Sequence, residues 1–140
     1  MNILKVLTDK RIKGNIGEDA TAKYLMKRKY KILERNYVEE DHEIDIIAEN
    51  KEYICFVEVK TRSENAKNPY ELLPRDAVDY KKRQSIISAA RIFASVQNTD
   101  KKFRFDVSEV FLDGNKAVTK IDYLENAFTL NDEYKQRYRR

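Results

Sequence analysis

The stretch Glu52–Arg62, EYICFVEVKTR, decides how the rest of the chain is read. It is dense in β-branched and aromatic residues and predicts a strand. Alternation sends Cys55, Val57 and Val59 to one face and Ile54 and Phe56 to the other. A strand that is apolar on both faces belongs inside a sheet covered by helices on each side, not on a solvated hairpin. The Ile54–Phe56 face then runs directly into Glu58, Lys60 and Arg62, so charge occupies the far end of a core strand.

The flanking sequence supplies the other layers. Upstream, Ile32–Glu39 and Glu43–Glu49 read as strands, with Asn50-Lys51 as the turn into the core strand, so the first strands are locally antiparallel. Gly14 and Gly17 precede or open a helix over NIGEDATAKYLMKRK, in which Glu18, Ala22 and Leu25 share a stripe at i, i+4 and i+7. Downstream, residues 63–74 hold both prolines and read as a loop. Asp76 or Asp79 can cap a helix reaching about Gln97, with Ile86, Ala90, Phe93 and Val96–Gln97 as its stripe. Lys102–Leu112 predicts a fourth strand, Asp113-Gly114 a turn, and Lys116–Tyr123 a short fifth strand. The fold class is α/β, in the order α-β-β-β-α-β with an extra fifth strand, its central mixed sheet flanked by helices.

Composition narrows the function classes. The chain has 140 residues, enough for one domain over 1–130 followed by a basic tail at 131–140. No apolar run approaches the ~20 residues of a membrane span, and MNILKVLTDK lacks the apolar stretch of a signal peptide, so a cytoplasmic protein with no membrane partner is expected. The single cysteine, Cys55, rules out an intramolecular disulfide and a multi-cysteine zinc site. The net charge of +4 points mildly to a polyanionic partner. It is not carried by a basic arm, since residues 1–50 hold ten basic and ten acidic side chains. Within that segment EEDHEID, residues 39–45, concentrates five carboxylates.

The charged strand end makes a geometric statement. Glu58 and Lys60 lie two residues apart, hence on one face. Continuing the pairing that a turn at Asn50-Lys51 sets brings Asp45 opposite Glu58. Two carboxylates ~4 Å apart repel by about 4 kcal/mol at an effective dielectric near 20, so they must acquire a proton, a cationic side chain or a metal. With one His and one Cys in the chain, an oxygen-ligated Mg²⁺ or Mn²⁺ suits better than zinc. Lys60 would then orient or deprotonate an attacking water, and Glu18 would reach the metal through a water. Taken singly, each residue reads more simply: Glu-x-Lys as a surface ion pair, Asp45 as a turn or salt-bridge residue, Glu18 as the partner of a nearby Lys. The ordered combination is what points to a site.

That quartet, with GNIGEDATAKYL, RNY, HEIDIIAE, FVEVKTR and FRFDV, resembles the bacterial YraN family of uncharacterised proteins over about residues 14–110. The family is placed in the PD-(D/E)xK, restriction-endonuclease-like superfamily, related to Holliday-junction resolvases, whose core is α-β-β-β-α-β. The resemblance implies Asp45, Glu58 and the carbonyl of Val59 as metal ligands, Lys60 as the catalytic lysine and Glu18 as the helix carboxylate. It implies a metal-dependent nuclease acting on DNA in repair or recombination, the alternative being a non-catalytic nucleic-acid-binding module on the same fold. The family usually has glycine where this chain has His42, before Glu-Ile-Asp.

Further residues carry weaker expectations. Arg62 suits either a phosphate contact or an ion pair, and Lys81, Lys82 and Arg83 open a helix where positive charge opposes the dipole, which fits a phosphate-facing patch or a solvated end. Gln84 follows them toward the site. Cys55 reads as packed and inert, Arg104 and Asp106 as a structural ion pair, and His42 as a loop residue with no role in the chemistry. Tyr134 and Tyr138 interleave the basic tail and suit base stacking. A homodimer is left open.

Overall fold

The computed structural model describes residues 2–64 and 78–129. Helix α1 (Ile3–Lys27) leads into strands β1 (Lys31–Glu39), β2 (His42–Glu49) and β3 (Tyr53–Ser63). Helix α2 (Tyr80–Gln97) follows, then β4 (Lys102–Leu112) and β5 (Val118–Phe128). The expected element order is present. The tail at 131–140 with Tyr134 and Tyr138, the alternative cap Asp76 and most of the proline loop lie outside the described residues.

The five strands form one sheet in the order β1-β2-β3-β4-β5. Only β3 and β4 are parallel, from Tyr53↔Lys102 to Ser63↔Leu112, and α2 lies in the long connection that such a pair requires. The β2–β3 hairpin pairs Ile46 with Val57 and Glu49 with Ile54, the register set by its turn. Asn50 holds that turn, its Oδ1 accepting from the N–H groups of Glu52 at 2.9 Å and Tyr53 at 2.7 Å.

β3 is covered on both sides. Ile54 and Phe56 pack in a cluster with Ile86, Ile87, Ala90 and Phe93 of α2 and Phe105 and Val107 of β4. Cys55 and Val57 pack on the opposite face with Ala22 and Leu25 of α1 and Ile46 and Ala48 of β2. Phe56 anchors the first layer, stacked on Phe105 at 5.6 Å and edge-on to Phe93 at 6.0 Å.

Three sequence expectations need correction. α1 begins at Ile3, not near the glycines, because Asn2 caps it through an Oδ1 acceptor 3.0 Å from the Leu4 N–H, and residues 3–13 are mostly good helix formers. Gly17 is interior for a packing reason: a Cβ there would overlap Thr61 Oγ1 and lie 3.3 Å from Val59 Cγ1. β5 runs to Phe128 rather than Tyr123, its Glu125-Asn126 step absorbed by an irregularity with Asn126 at φ 53°. Val96, placed on the buried stripe of α2, is 75% exposed, since the packed face ends at Phe93.

The α1 side of the sheet also carries a satisfied ionic cluster. Asp106, fully buried, accepts from Arg104 Nε (3.0 Å) and Nη2 (2.9 Å), from the Tyr123 hydroxyl and from the Asn126 N–H (3.0 Å). Arg104 Nη2 also donates to the Tyr30 hydroxyl at 2.7 Å. The pair is therefore structural. Cys55 is buried, and burial first, then the Asp106 charge, pushes its thiol up to about 12, which keeps it unreactive. Among the described residues no helix is long and apolar enough to cross a membrane.

Candidate active site

The site forms where β2 parts from β3. Their ladder ends at Ile46↔Val57, and beyond it the Asp45 carboxylate takes over: Oδ2 accepts from the Val59 N–H at 2.8 Å. Around Asp45 the face pattern of β2 breaks, with Ile44 and Ile47 in the α2-side cluster and Ile46 and Ala48 in the α1-side cluster. A side chain thus replaces the next backbone acceptor, and it fixes the Val59 peptide beside Asp45.

Glu58 is the neighbouring carboxylate and is buried, at 5% exposure. Burial first, then the charge of Asp45, pushes its carboxyl up to about 8, against the opposing pull of Lys82 and Lys60. Lys60 Nζ stands 3.7 Å from Oε1 and Lys82 Nζ 3.9 Å from Oε2. Both separations are too long for hydrogen bonds. Oε2 is buried without any hydrogen-bond partner, one of two such side-chain atoms among the described residues. The other is Oε1 of Glu18.

Glu18 approaches from α1. Burial first, then Asp45, raises its carboxyl above the ordinary range, while Arg35 of β1, 3.8 Å from Oε1, acts the other way. Arg35 makes its shorter pair with Asp19, at 2.8 Å. Three of the quartet, Asp45, Glu58 and Lys60, meet closely, and Glu18 borders them. Among the described residues no group of three or more His, Cys, Asp or Glu side chains is arranged to hold a metal, so Asp45 and Glu58 stand as a pair. The donors are all oxygen, and one of them, Glu58 Oε2, is buried and unsatisfied. That set fits a hard divalent cation better than zinc.

The remaining charged residues sort unevenly. Of the helix-opening run, Lys82 reaches Glu58, and its own N–H donates to the cap Asp79 at 2.8 Å. Lys81 is exposed. Arg83 turns back, Nη1 donating to the Val78 carbonyl at 2.8 Å, so it is engaged within the fold. Gln84 is half-buried on the same turn and has partners of its own. Arg62 pairs through Nε with Glu109 at 3.1 Å. Glu109 is buried and lies opposite Lys60 in the β3–β4 ladder. Alternation of Phe105, Val107 and Glu109 in β4 signalled that placement, which the sequence reading passed over.

The acidic run 39–45 does not gather at the site. Glu40, Asp41 and Glu43 are exposed around the β1–β2 turn, and Asp45 alone reaches Glu58. His42 lies within β2, paired with Glu39, while Glu40 supplies the positive φ of 55° that the turn needs. The imidazole Nδ1 sits 2.7 Å from Ser85 Oγ, tying the hairpin to α2.

The profile described as "Uncharacterised protein family UPF0102" matches residues 17–110. A UPF0102 protein of Caldanaerobacter subterraneus subsp. tengcongensis is 40% identical over 122 residues, covering 86% of this chain and 97% of the relative. One from Clostridium acetobutylicum is 42% identical over 118 residues, covering 84% and 93%. One from Clostridioides difficile is 42% identical over 117 residues, covering 83% and 96%. Matches of this extent uphold the YraN-like resemblance seen in the sequence, and the chain belongs to the uncharacterised protein family UPF0102.

Proposed function

We propose that this protein is a divalent-metal-dependent nuclease of the PD-(D/E)xK type that hydrolyses DNA phosphodiester bonds, with repair or recombination intermediates as its substrates. The observation carrying this reading is Glu58: a buried carboxylate beside Asp45, with an unsatisfied oxygen and two lysine ammonium groups at 3.7 and 3.9 Å. Burial of such a pair without a function would cost stability for nothing gained.

In this reading Asp45 and Glu58, with the Val59 carbonyl, hold Mg²⁺ or Mn²⁺. The ion would polarise a phosphate oxygen and lower the pKa of water at the site. Asp45 is held in place by the Val59 N–H. Lys60 orients the attacking water, takes part in its deprotonation and offsets charge on the phosphorane-like transition state. Glu18 accepts from water at the rim. Lys82 and Arg62 border the site and engage the phosphate backbone, Arg62 being steadied by Glu109. Lys81 and Arg83 extend the contact outward along α2, the first exposed and the second already hydrogen-bonded to Val78, and Gln84 lines the same turn.

The test is cleavage of single-stranded, duplex and junction DNA, with matched RNA, in Mg²⁺ and Mn²⁺. Cleavage is expected in wild type and lost in Asp45→Ala and Lys60→Ala. Unchanged cleavage in Lys60→Ala removes the lysine from the chemistry. Salt-dependent binding without turnover in either metal would instead establish the non-catalytic binding module.

A further inference from the structure

On sequence Lys82 is one of three cations, with Lys81 and Arg83, that suit either a phosphate-facing patch or a solvated helix end. The structure separates it from the other two. Lys81 is exposed, Arg83 donates to the Val78 carbonyl, and Lys82 alone faces Glu58. It faces a particular atom: Oε2, the buried oxygen with no hydrogen-bond partner, at 3.9 Å, while Lys60 attends Oε1. Its backbone is anchored by the Asp79 cap, which holds the first turn of α2 against the site.

We infer that Lys82 is a second active-site lysine that competes with a divalent cation for Oε2 of Glu58, and that it is turned onto substrate phosphate when displaced. This rests on the metal-dependent reading of the Asp45–Glu58 pair. An unsatisfied carboxylate oxygen is a natural ligand for an incoming cation, and an ammonium within 4 Å of it opposes that cation directly. The Lys82 side chain is about one-third exposed, so it can leave Glu58 for solvent or for an anion without unpacking the core. Lys60, equally exposed on β3, attends Oε1 rather than the unsatisfied Oε2, so Lys82 is the lysine that an incoming cation meets. Metal uptake and phosphate capture are thereby coupled, because the cation that enters releases the cation that binds the phosphodiester.

The coupling has opposite signs in two measurements on one variant. Mn²⁺ affinity, read by electron paramagnetic resonance of free Mn²⁺, is expected to tighten about tenfold in Lys82→Met and in Lys82→Gln. Binding of a duplex oligonucleotide in Ca²⁺ is expected to weaken, with the log–log salt slope reduced by about one. Lys81→Met carries the same change in net charge and should move Mn²⁺ affinity less than twofold. A merely structural Lys82 would weaken both. Mn²⁺ affinity that is unchanged or weaker in both Lys82 variants, or an unchanged salt slope, overturns the inference while leaving the metal site intact. Absence of Mn²⁺ binding in wild type and variants alike overturns the metal-dependent reading beneath it as well.

Discussion

Glu58→Gln should stabilise the metal-free protein at alkaline pH while abolishing metal-dependent activity. The Glu58 carboxyl, pushed up from 4.5 to about 8 by burial and by Asp45, keeps a proton in the folded chain that the unfolded chain has already released. Between those values the native state binds more protons, so stability is fully present below about pH 4.5 and falls as pH rises toward 8. One pKa unit corresponds to 1.36 kcal/mol, so this displacement sets a ceiling of about 5 kcal/mol. Because water relaxes around the buried carboxyl, on the order of 2–4 kcal/mol is expected. Gln is nearly isosteric with the protonated acid, so the two proteins should be close in stability at pH 5. At pH 8.5 the variant should be stronger by that amount. Urea denaturation with EDTA reads it directly: with a slope of ~1–3 kcal/mol/M, the midpoint should rise by about 1–2 M at pH 8.5 and hardly at pH 5. Equal midpoints at pH 8.5, or a wild-type midpoint flat from pH 5 to 8.5, would refute the idea that Glu58 is held protonated by its surroundings.

Other outcomes follow from the same geometry. Lys60→Ala should lose 10²–10⁴-fold in cleavage rate with Mn²⁺ while circular dichroism stays native, since the Lys60 side chain is about one-third exposed and pairs with Glu58 at 3.7 Å. Gly17→Ala gains about 1 kcal/mol of helix propensity but drives a methyl into Thr61 and Val59, so a net loss of about 1–2 kcal/mol in thermal unfolding is expected, eased in a Thr61→Ala background. Tyr123→Phe removes one donor from buried Asp106 and should cost about 1.5–3 kcal/mol by denaturant titration. Arg104→Met leaves that carboxylate uncompensated and should cost more, about 3–5 kcal/mol.

What was legible in the sequence was whatever short-range periodicity controls. The two-faced Ile54–Val59 pattern placed β3 at the centre of the sheet, and the Asn50 turn set the register that carries Asp45 to Glu58. Paired glycines look like a helix boundary, yet Gly17 sits mid-helix because β3 comes too close for a side chain, a tertiary cause invisible locally. The fifth strand is expected to end at Tyr123, and the structure carries it to Phe128 through an irregularity at Asn126 because β4 continues alongside. Distinguishing Lys82 from Lys81 and Arg83 requires knowing how α2 is rotated over the sheet, which depends on the core contacts of Ile86, Ala90 and Phe93 rather than on the charge run itself. The acidic run 39–45 misleads for the opposite reason: a β-turn between Glu39 and His42 scatters its carboxylates, and only Asp45 faces inward.

The most direct test of the site is a crystal structure of the protein soaked in Mn²⁺, with anomalous scattering locating the ion. An ion within about 2.5 Å of both the Asp45 and Glu58 carboxylates, with Lys82 turned away from Glu58, is expected. An ion bound elsewhere, or none at saturating Mn²⁺ with Lys82 still against Glu58, would contradict the assignment.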